Sequence, residues 1–206
     1  LKDGKEDGPL VNWYENGQKE SEYNYKDGKQ HGDATGWYEN GQKKLEANFK
    51  DGEQHGPTFG WHKNGQKKSE ETWKDGKQHG LAHLYYKNGK RDQESNWKDG
   101  KGNGLVTNWY EDGQKKAESN WKDGKQEGSG NFWHENGQKE EVGNWKNNER
   151  DGTHTSWYKN GQKAQESNWK DGTMGLVTDW YENGQIESEA NWQNDQMDGT
   201  LTLWHK

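Results

Sequence analysis

"WYENGQKKLEANFKDG", residues Trp37 to Gly52, decides the fold, because most of it returns at a fixed interval. It reads "WHKNGQKKSEETWKDG" from Trp61, "WYEDGQKKAESNWKDG" from Trp109 and "WYKNGQKAQESNWKDG" from Trp157. The Gly of the Asn-Gly or Asp-Gly pair falls at Gly17, Gly41, Gly65, Gly89, Gly113, Gly137, Gly161 and Gly184, in steps of 24 residues except the last, of 23. A second turn Gly recurs at Gly4, Gly28, Gly52, Gly76, Gly100, Gly124 and Gly172. Two turn signals per period, with six to eight residues between them, give two short strands per repeat. Helix is excluded by the Gly density and by the lack of a 3.6-residue apolar stripe. The expectation is one continuous tandem array over 1–206: eight antiparallel hairpins and a terminal strand, about 17 short strands.

Composition sharpens that reading. Nine Leu, one Ile, four Val and three Phe make only 17 of 206 residues, about 8 %, which in a charged chain is the signature of disorder. Fourteen Trp and nine Tyr oppose it, since each large ring buries on the order of 150–250 Å². The apolar surface is therefore concentrated in aromatic rings. Lys and Glu alternate through every repeat and the net charge is −7, so there is no basic footprint for nucleic acid or for adsorption to anionic lipid. The absence of Cys removes disulfides and thiolate zinc sites. No apolar run reaches the ~18 residues of a membrane helix. The start at Leu1 rather than Met points to a processed product or an excerpt, and leaves the compartment open.

Turn chemistry sets which rings share a face. "ENGQ" and "KDGK" fit two-residue type I′ turns or three-residue loops with Gly in the left-handed region. With two-residue turns, Trp37 faces Glu46 and Asn48, and Phe49 lies on the other side. With three-residue loops, Trp37, Thr35 and His31 share a face with Lys43, Leu45, Ala47 and Phe49. The second register gathers the large rings, and hydrophobic pattern favours it. It predicts two aromatic ladders on one face. Trp13, Trp37, Trp61, Tyr85, Trp109, Trp133, Trp157, Trp180 and Trp204 run near one sheet edge. Tyr25, Phe49, Trp73, Trp97, Trp121, Trp145, Trp169 and Trp192 run near the other, with Ser21, Ala47, Ser95, Ser119, Ser167 and Ala190 between.

With these residues in place, "SNWKDGKQEG" (Ser119 to Gly128) and "WYENGQKKLE" (Trp37 to Glu46) resemble MORN repeats of the variant type, over essentially the whole chain. The resemblance implies an all-β, elongated, solenoid-like single sheet of stacked hairpins. It also implies protein–protein contacts, membrane-proximal assembly and phospholipid binding, with an antitoxin-like label for the bacterial variant family. The sequence departs from the pattern at Asn148 and Asp195, which occupy turn-Gly slots. It departs again at Val142, and at "DGTMG", which is one residue short.

Candidate sites weigh as follows. His31, His55 and His79 recur in "QHG", but equivalent positions lie roughly 9.5 Å apart and cannot share a zinc ion. Packing over the facing aromatic near a turn is expected instead. Glu22, Glu46, Glu70, Glu94, Glu118, Glu166 and Glu189 repeat without any position being singled out, so cross-strand pairing with Lys explains them better than paired-carboxylate catalysis. The chain has no nucleophile elbow, P-loop or dinucleotide fingerprint, and Gly100-Lys101-Gly102 reads as a turn. No cofactor or enzymatic activity is expected. The candidate binding face is the pair of ladders: Trp37, Trp61, Tyr85, Trp109, Trp133 and Trp157 on one side, Trp73, Trp97, Trp121, Trp145 and Trp169 on the other. The expected function is a non-enzymatic scaffold for a protein partner. Two alternatives stand beside it. One is a self-assembling filament or surface fibre, because Leu1 fills an aromatic slot and "TLTLWHK" begins an unfinished hairpin, leaving uncapped edges. The other is a glycan lying along the aromatic track.

Overall fold

The computed structural model describes residues 4–193 and 196–205, so the Leu1 and Asp195 slots lie outside the described residues. The chain forms two compact units, Leu1–Lys101 and Gly102–Lys206. Each is built of antiparallel hairpins that pair in chain order, and the described residues contain no helix.

In the first unit the long strands are Gly8–Trp13, Lys19–Lys26, Lys29–Trp37, Lys43–Lys50, Gly56–Trp61, Lys67–Lys74, Gly80–Tyr85 and Arg91–Lys98. In the second they are Gly104–Trp109, Lys115–Lys122, Lys125–Trp133, Lys139–Lys146, Glu149–Trp157, Lys163–Lys170, Thr173–Trp180 and Ile186–Ala190. Short Thr202–Leu203 pairs against the last of these, and Trp192–Gln193 pairs with Gln196–Met197.

The two turn types differ, and neither alone sets the register. In "YENGQ", Tyr38 N donates to Gln42 O at 2.8 Å and Gly41 N to Tyr38 O at 2.8 Å, closing a three-residue loop with Gly41 at φ 80°. The three-residue form expected there is therefore present. The "KDGK" turn is a correction to the sequence reading. Lys26 pairs with Lys29 across two residues, Asp27 at φ 52° and Gly28 at φ 83°, which is the type I′ geometry favoured by strand twist. Asn147 and Asn148 take the same conformation at φ 53° and 74°.

A second feature overturns the single-face expectation. Trp37 pairs with Lys43 but Gly36 pairs with Leu45, so Lys44 is an extra, bulged residue. The same slip occurs at Glu20, Lys68, Asp92, Lys116, Glu140, Ala164 and Glu187. One extra residue reverses side-chain parity. It cancels the shift produced by the odd-numbered loop. Trp37 consequently lies with Thr35 and Glu46, while Phe49 lies with Ala34 and Ala47 on the opposite side. The two ladders occupy opposite faces of each sheet.

The face carrying Phe49, Trp73, Trp97, Trp121, Trp145 and Trp169 holds most of the core, which is made of small residues under rings. Ala34, Ala47, Ala82 and Ser95 are buried there in the first unit, as are Ala117, Ser119, Ser167 and Val177 in the second. A Cβ added to Gly130 would stand 2.5 Å from Trp145 Cζ3, so the ring approaches backbone that only Gly permits. Trp97, Trp121 and Trp169 each donate their indole N–H at 2.9 Å to the Ser two residues earlier, which the strand pleat brings to the same face. At Trp73 that Ser position is Glu71, and the buried indole nitrogen has no hydrogen-bond partner.

Candidate functional site

In each unit the opposite face is built around its own part of the first ladder. Trp37, Trp61, Tyr85, Trp109, Trp133 and Trp157 are all half-buried, and Trp13 is 58 % exposed. Lysines intercalate between the rings: Lys19 Nζ lies 6.0 Å from the Trp13 centroid and 5.6 Å from that of Trp37. Lys43 lies over Trp61, Lys139 over Trp157 and Lys163 over Trp180, at 5.8, 6.0 and 5.0 Å. Such cation–π contacts at exposed sites are worth about 0.5–1 kcal/mol each. Where the third residue on is Glu, it holds the lysine in turn, as in Lys19–Glu22 at 2.8 Å, Lys115–Glu118 at 2.5 Å and Lys163–Glu166 at 2.7 Å; after Lys139 that position is Val142. Residues three apart on a regular strand point to opposite sides; the bulge between them brings the pair together. The glutamates are thus paired along their own strand rather than across it. Glu70 also accepts from Tyr85 Oη at 2.8 Å. Bonding to Lys67 and then to Tyr85 holds its carboxyl below the usual range.

Both sheet edges are locked from one repeat to the next. Tyr14 Oη donates to Trp37 O at 2.7 Å, Tyr38 to Trp61 O at 2.8 Å, Tyr110 to Trp133 O at 2.6 Å and Tyr158 to Trp180 O at 2.7 Å. His62 and His134 take the same role through Nε2, at 2.9 and 2.8 Å. Burial first, and neighbouring carboxylates second, raise Tyr14, Tyr110 and Tyr158 above the ordinary phenol range, which keeps the donor proton in place. Asn16, Asn40, Asn64, Asn136 and Asn160 reach the next loop's carbonyl in parallel. At the other edge the turn Gly donates to the preceding repeat, as in Gly52 N to Gln30 O at 2.8 Å. The "QHG" histidines stand against the next turn: Nδ1 of His31, His55 and His79 lies 3.4, 3.3 and 3.5 Å from Asp51, Asp75 and Asp99. Among the described residues no group of three or more His, Asp or Glu is placed to hold a metal ion.

The second ladder, Trp73, Trp97, Trp121, Trp145 and Trp169, does not join the first. Its rings roof the small-residue core. Within it lies a cluster that the sequence reading did not isolate. His154 is 2 % exposed and lies T-shaped against Trp145, with centroids 4.6 Å apart. Its Nδ1 is 3.1 Å from Glu141 Oε1 and its Nε2 2.7 Å from Asn144 O. Arg150 donates to the same Glu141 oxygen at 2.7 Å and covers Trp169 at 5.2 Å. A cavity of about 110 Å³ adjoins the cluster, lined also by Ser156, Gln165 and Ser167. Gly143 makes room for the imidazole, because any Cβ there would enter the ring. The available signal was that Glu141, Gly143, Arg150 and His154 all depart from the repeat and become neighbours once register is known.

The first unit has a larger concavity, of about 450 Å³, near the first ladder. It is lined by Asp33, Thr35, Glu46, Asn48, His55, Pro57 and Phe59, with Ala34, Ala47 and Gly56. None of these arrangements places a nucleophile, a base and an oxyanion donor together.

A family model described as MORN repeat variant matches residues 6–27, 30–51, 54–75, 78–99, 103–123, 150–171 and 175–194. The matched segments leave out 124–149, which contains Glu141 and Gly143. No curated protein matches the chain.

Proposed function

The chain belongs to the MORN repeat variant family, and from that premise we propose that it is a non-catalytic scaffold whose tryptophan–lysine face binds a partner protein. In this reading the repeats of 1–206 act as one array, with Trp37, Trp61, Tyr85, Trp109, Trp133 and Trp157 as contact residues. Trp73, Trp97, Trp121, Trp145 and Trp169 serve the fold. The observation that carries the reading is the division of labour between the ladders. One ladder spends its indole N–H groups and ring area on buried Ser, Ala and Gly. The other pairs its rings with exposed lysines that a partner can displace or share. Large rings beside organised charge are the usual material of binding hot spots.

The test is site-specific photocrosslinking in the native host, with benzoyl-phenylalanine placed at Trp37, Trp61, Trp157, Trp97 or Trp121. Crosslinks to one protein species from Trp37, Trp61 and Trp157, and none from Trp97 or Trp121, are expected. Equal crosslinking from both ladders, or none from the first, refutes the assignment.

A further inference from the structure

The 450 Å³ concavity in the first unit has a defined chemistry. Its floor is the strand Lys43–Lys50, from which Glu46 and Asn48 point to the tryptophan–lysine side. One bank is Asp33 and Thr35, which pair with Asn48 and Glu46; the other includes Pro57 and Phe59, with Phe59 directly across from Glu46. Adjacent strands are about 4.8 Å apart, so the banks stand roughly two strand spacings from each other.

Two of these residues, Asp33 and Phe59, break the repeat. The slot of Asp33 holds Pro9, Pro57 or Leu81 elsewhere in the unit, and Asp33 alone there carries charge. The slot of Phe59 holds Val11, Thr35 or His83. Pro57 repeats Pro9 and supplies the facing apolar bank. A repeat protein that needs only stacking has no reason to set a carboxylate opposite a proline and a phenyl ring. Departures that converge on one cavity mark a site.

The charges are unequal. Glu46 already has Lys43. Asp33 accepts a neutral hydrogen bond from Asn48 Nδ2 at 2.8 Å and, among the described residues, meets no cation. The trough therefore offers an uncompensated carboxylate, a second carboxylate that can share its lysine's place, and a wall of Pro57 and Phe59, whose ring already has Lys67 Nζ 5.6 Å from its centroid, a cation contact that an arginine would share. A planar cation on an aliphatic stem satisfies all three: guanidinium pairs with carboxylate in a fork and stacks on aromatic faces. The net charge of −7 adds complementarity towards a basic partner.

We infer that this trough is the socket for an arginine side chain presented by the protein partner. Its head meets Asp33 and Glu46 and its stem lies on Pro57 and Phe59. The assignment rests on the scaffold reading and names the chemistry of the partner at one point of that face.

The test is a ¹⁵N-NMR titration of the protein with acetyl-Gly-Arg-Gly-amide, against the same peptide carrying citrulline, which keeps the shape and removes the charge. Shifts centred on the amides of Asp33, Glu46, Asn48 and Phe59, with affinity about five-fold or more above the citrulline peptide, are expected for a new charge pair. Asp33→Asn and Phe59→Thr should each abolish the difference. Threonine is native to the Phe59 slot at Thr35, so that variant keeps the fold. Asp123→Asn, which removes equal charge at a turn of the second unit where Asn147 shows that asparagine is accepted, should leave the difference intact. Equal binding of both peptides, shifts dispersed over the face, or indifference to Asp33→Asn and Phe59→Thr overturns the socket. If the peptide fails while the crosslinks from Trp37 and Trp61 persist, the socket falls and the scaffold stands. Peptide binding without those crosslinks leaves the reverse.

Discussion

Replacing Tyr110 with Phe isolates one clasp between repeats. Its hydroxyl donates to the Trp133 carbonyl at 2.6 Å, and the residue is half-buried. The substitution removes one oxygen and keeps the ring. A net intramolecular hydrogen bond is worth about 0.5–1.5 kcal/mol, and a stranded carbonyl that is partly open to water keeps the loss near the middle, about 1 kcal/mol. Tyr158→Phe removes the equivalent bond to Trp180 O at 2.7 Å. The sites share no partner, so the double variant should lose about 2 kcal/mol. For a chain of this size that corresponds to roughly 2–4 °C in Tm per kcal/mol. Urea unfolding read by Trp fluorescence gives the energy. Amide exchange at Gly113 and Gly137, whose N–H groups bond within the clasped loops, gives the location. The pH dependence adds a signature. Burial first, then Glu140, Glu135 and Asp112, raise the Tyr110 phenol above its ordinary value of 10.0. A group raised in the folded state contributes stability that is complete below its unfolded value and lost as pH rises through the folded one. Stability should therefore decline above pH 10, and less steeply in Tyr110→Phe. A change below about 0.3 kcal/mol, with unaltered exchange in both loops and an identical alkaline decline, would refute the claim that the hydroxyl joins neighbouring repeats.

Two further outcomes follow from side chains already described. His154→Ala should destabilise the second unit by about 2–4 kcal/mol, since it opens a void between Trp145 and Trp169 and strands the Asn144 carbonyl, while Glu141 keeps Arg150; chemical denaturation measures it. Lys67 and then Tyr85 lower the Glu70 carboxyl, so its contribution is present above the usual carboxylate range and lost as pH falls through it. Carboxyl-detected NMR should show Glu70 titrating at higher pH in Tyr85→Phe.

The sequence made the hairpin period, the three-residue "ENG" loop and the left-handed Asn148 readable, because Gly, Asn and Asp at turns act locally. The face of each ring was not readable by the same means. Parity depends on the count of residues between Trp37 and Phe49, and the bulged residue, charged everywhere but at Ala164, looks like any other charged strand position. The clue was the Lys19–Glu22 spacing, which joins two charges only if a residue between them is extra. The "KDG" turn was misjudged for a related reason: gathering the rings on one face outweighed the ordinary preference of Asp-Gly for a type I′ turn. The Glu141–Arg150–His154 cluster was hidden because each member alone is an unremarkable polar substitution, and only strand pairing makes them neighbours. Of the candidate site, the aromatic positions were visible; their placement on two opposite faces was not.

The bulged residue beside each loop lets a single short phrase write two independent texts. Ser119, Gly130 and Ala47 lie beneath the roofing rings, whereas Asp33, Phe59 and Lys43 lie on the other face, exposed or half-buried. On the scaffold reading, selection on recognition proceeds repeat by repeat on one side, apart from the constraints of packing on the far side. A lineage of such arrays should diversify fastest on the tryptophan–lysine surface and most slowly beneath the roofing rings.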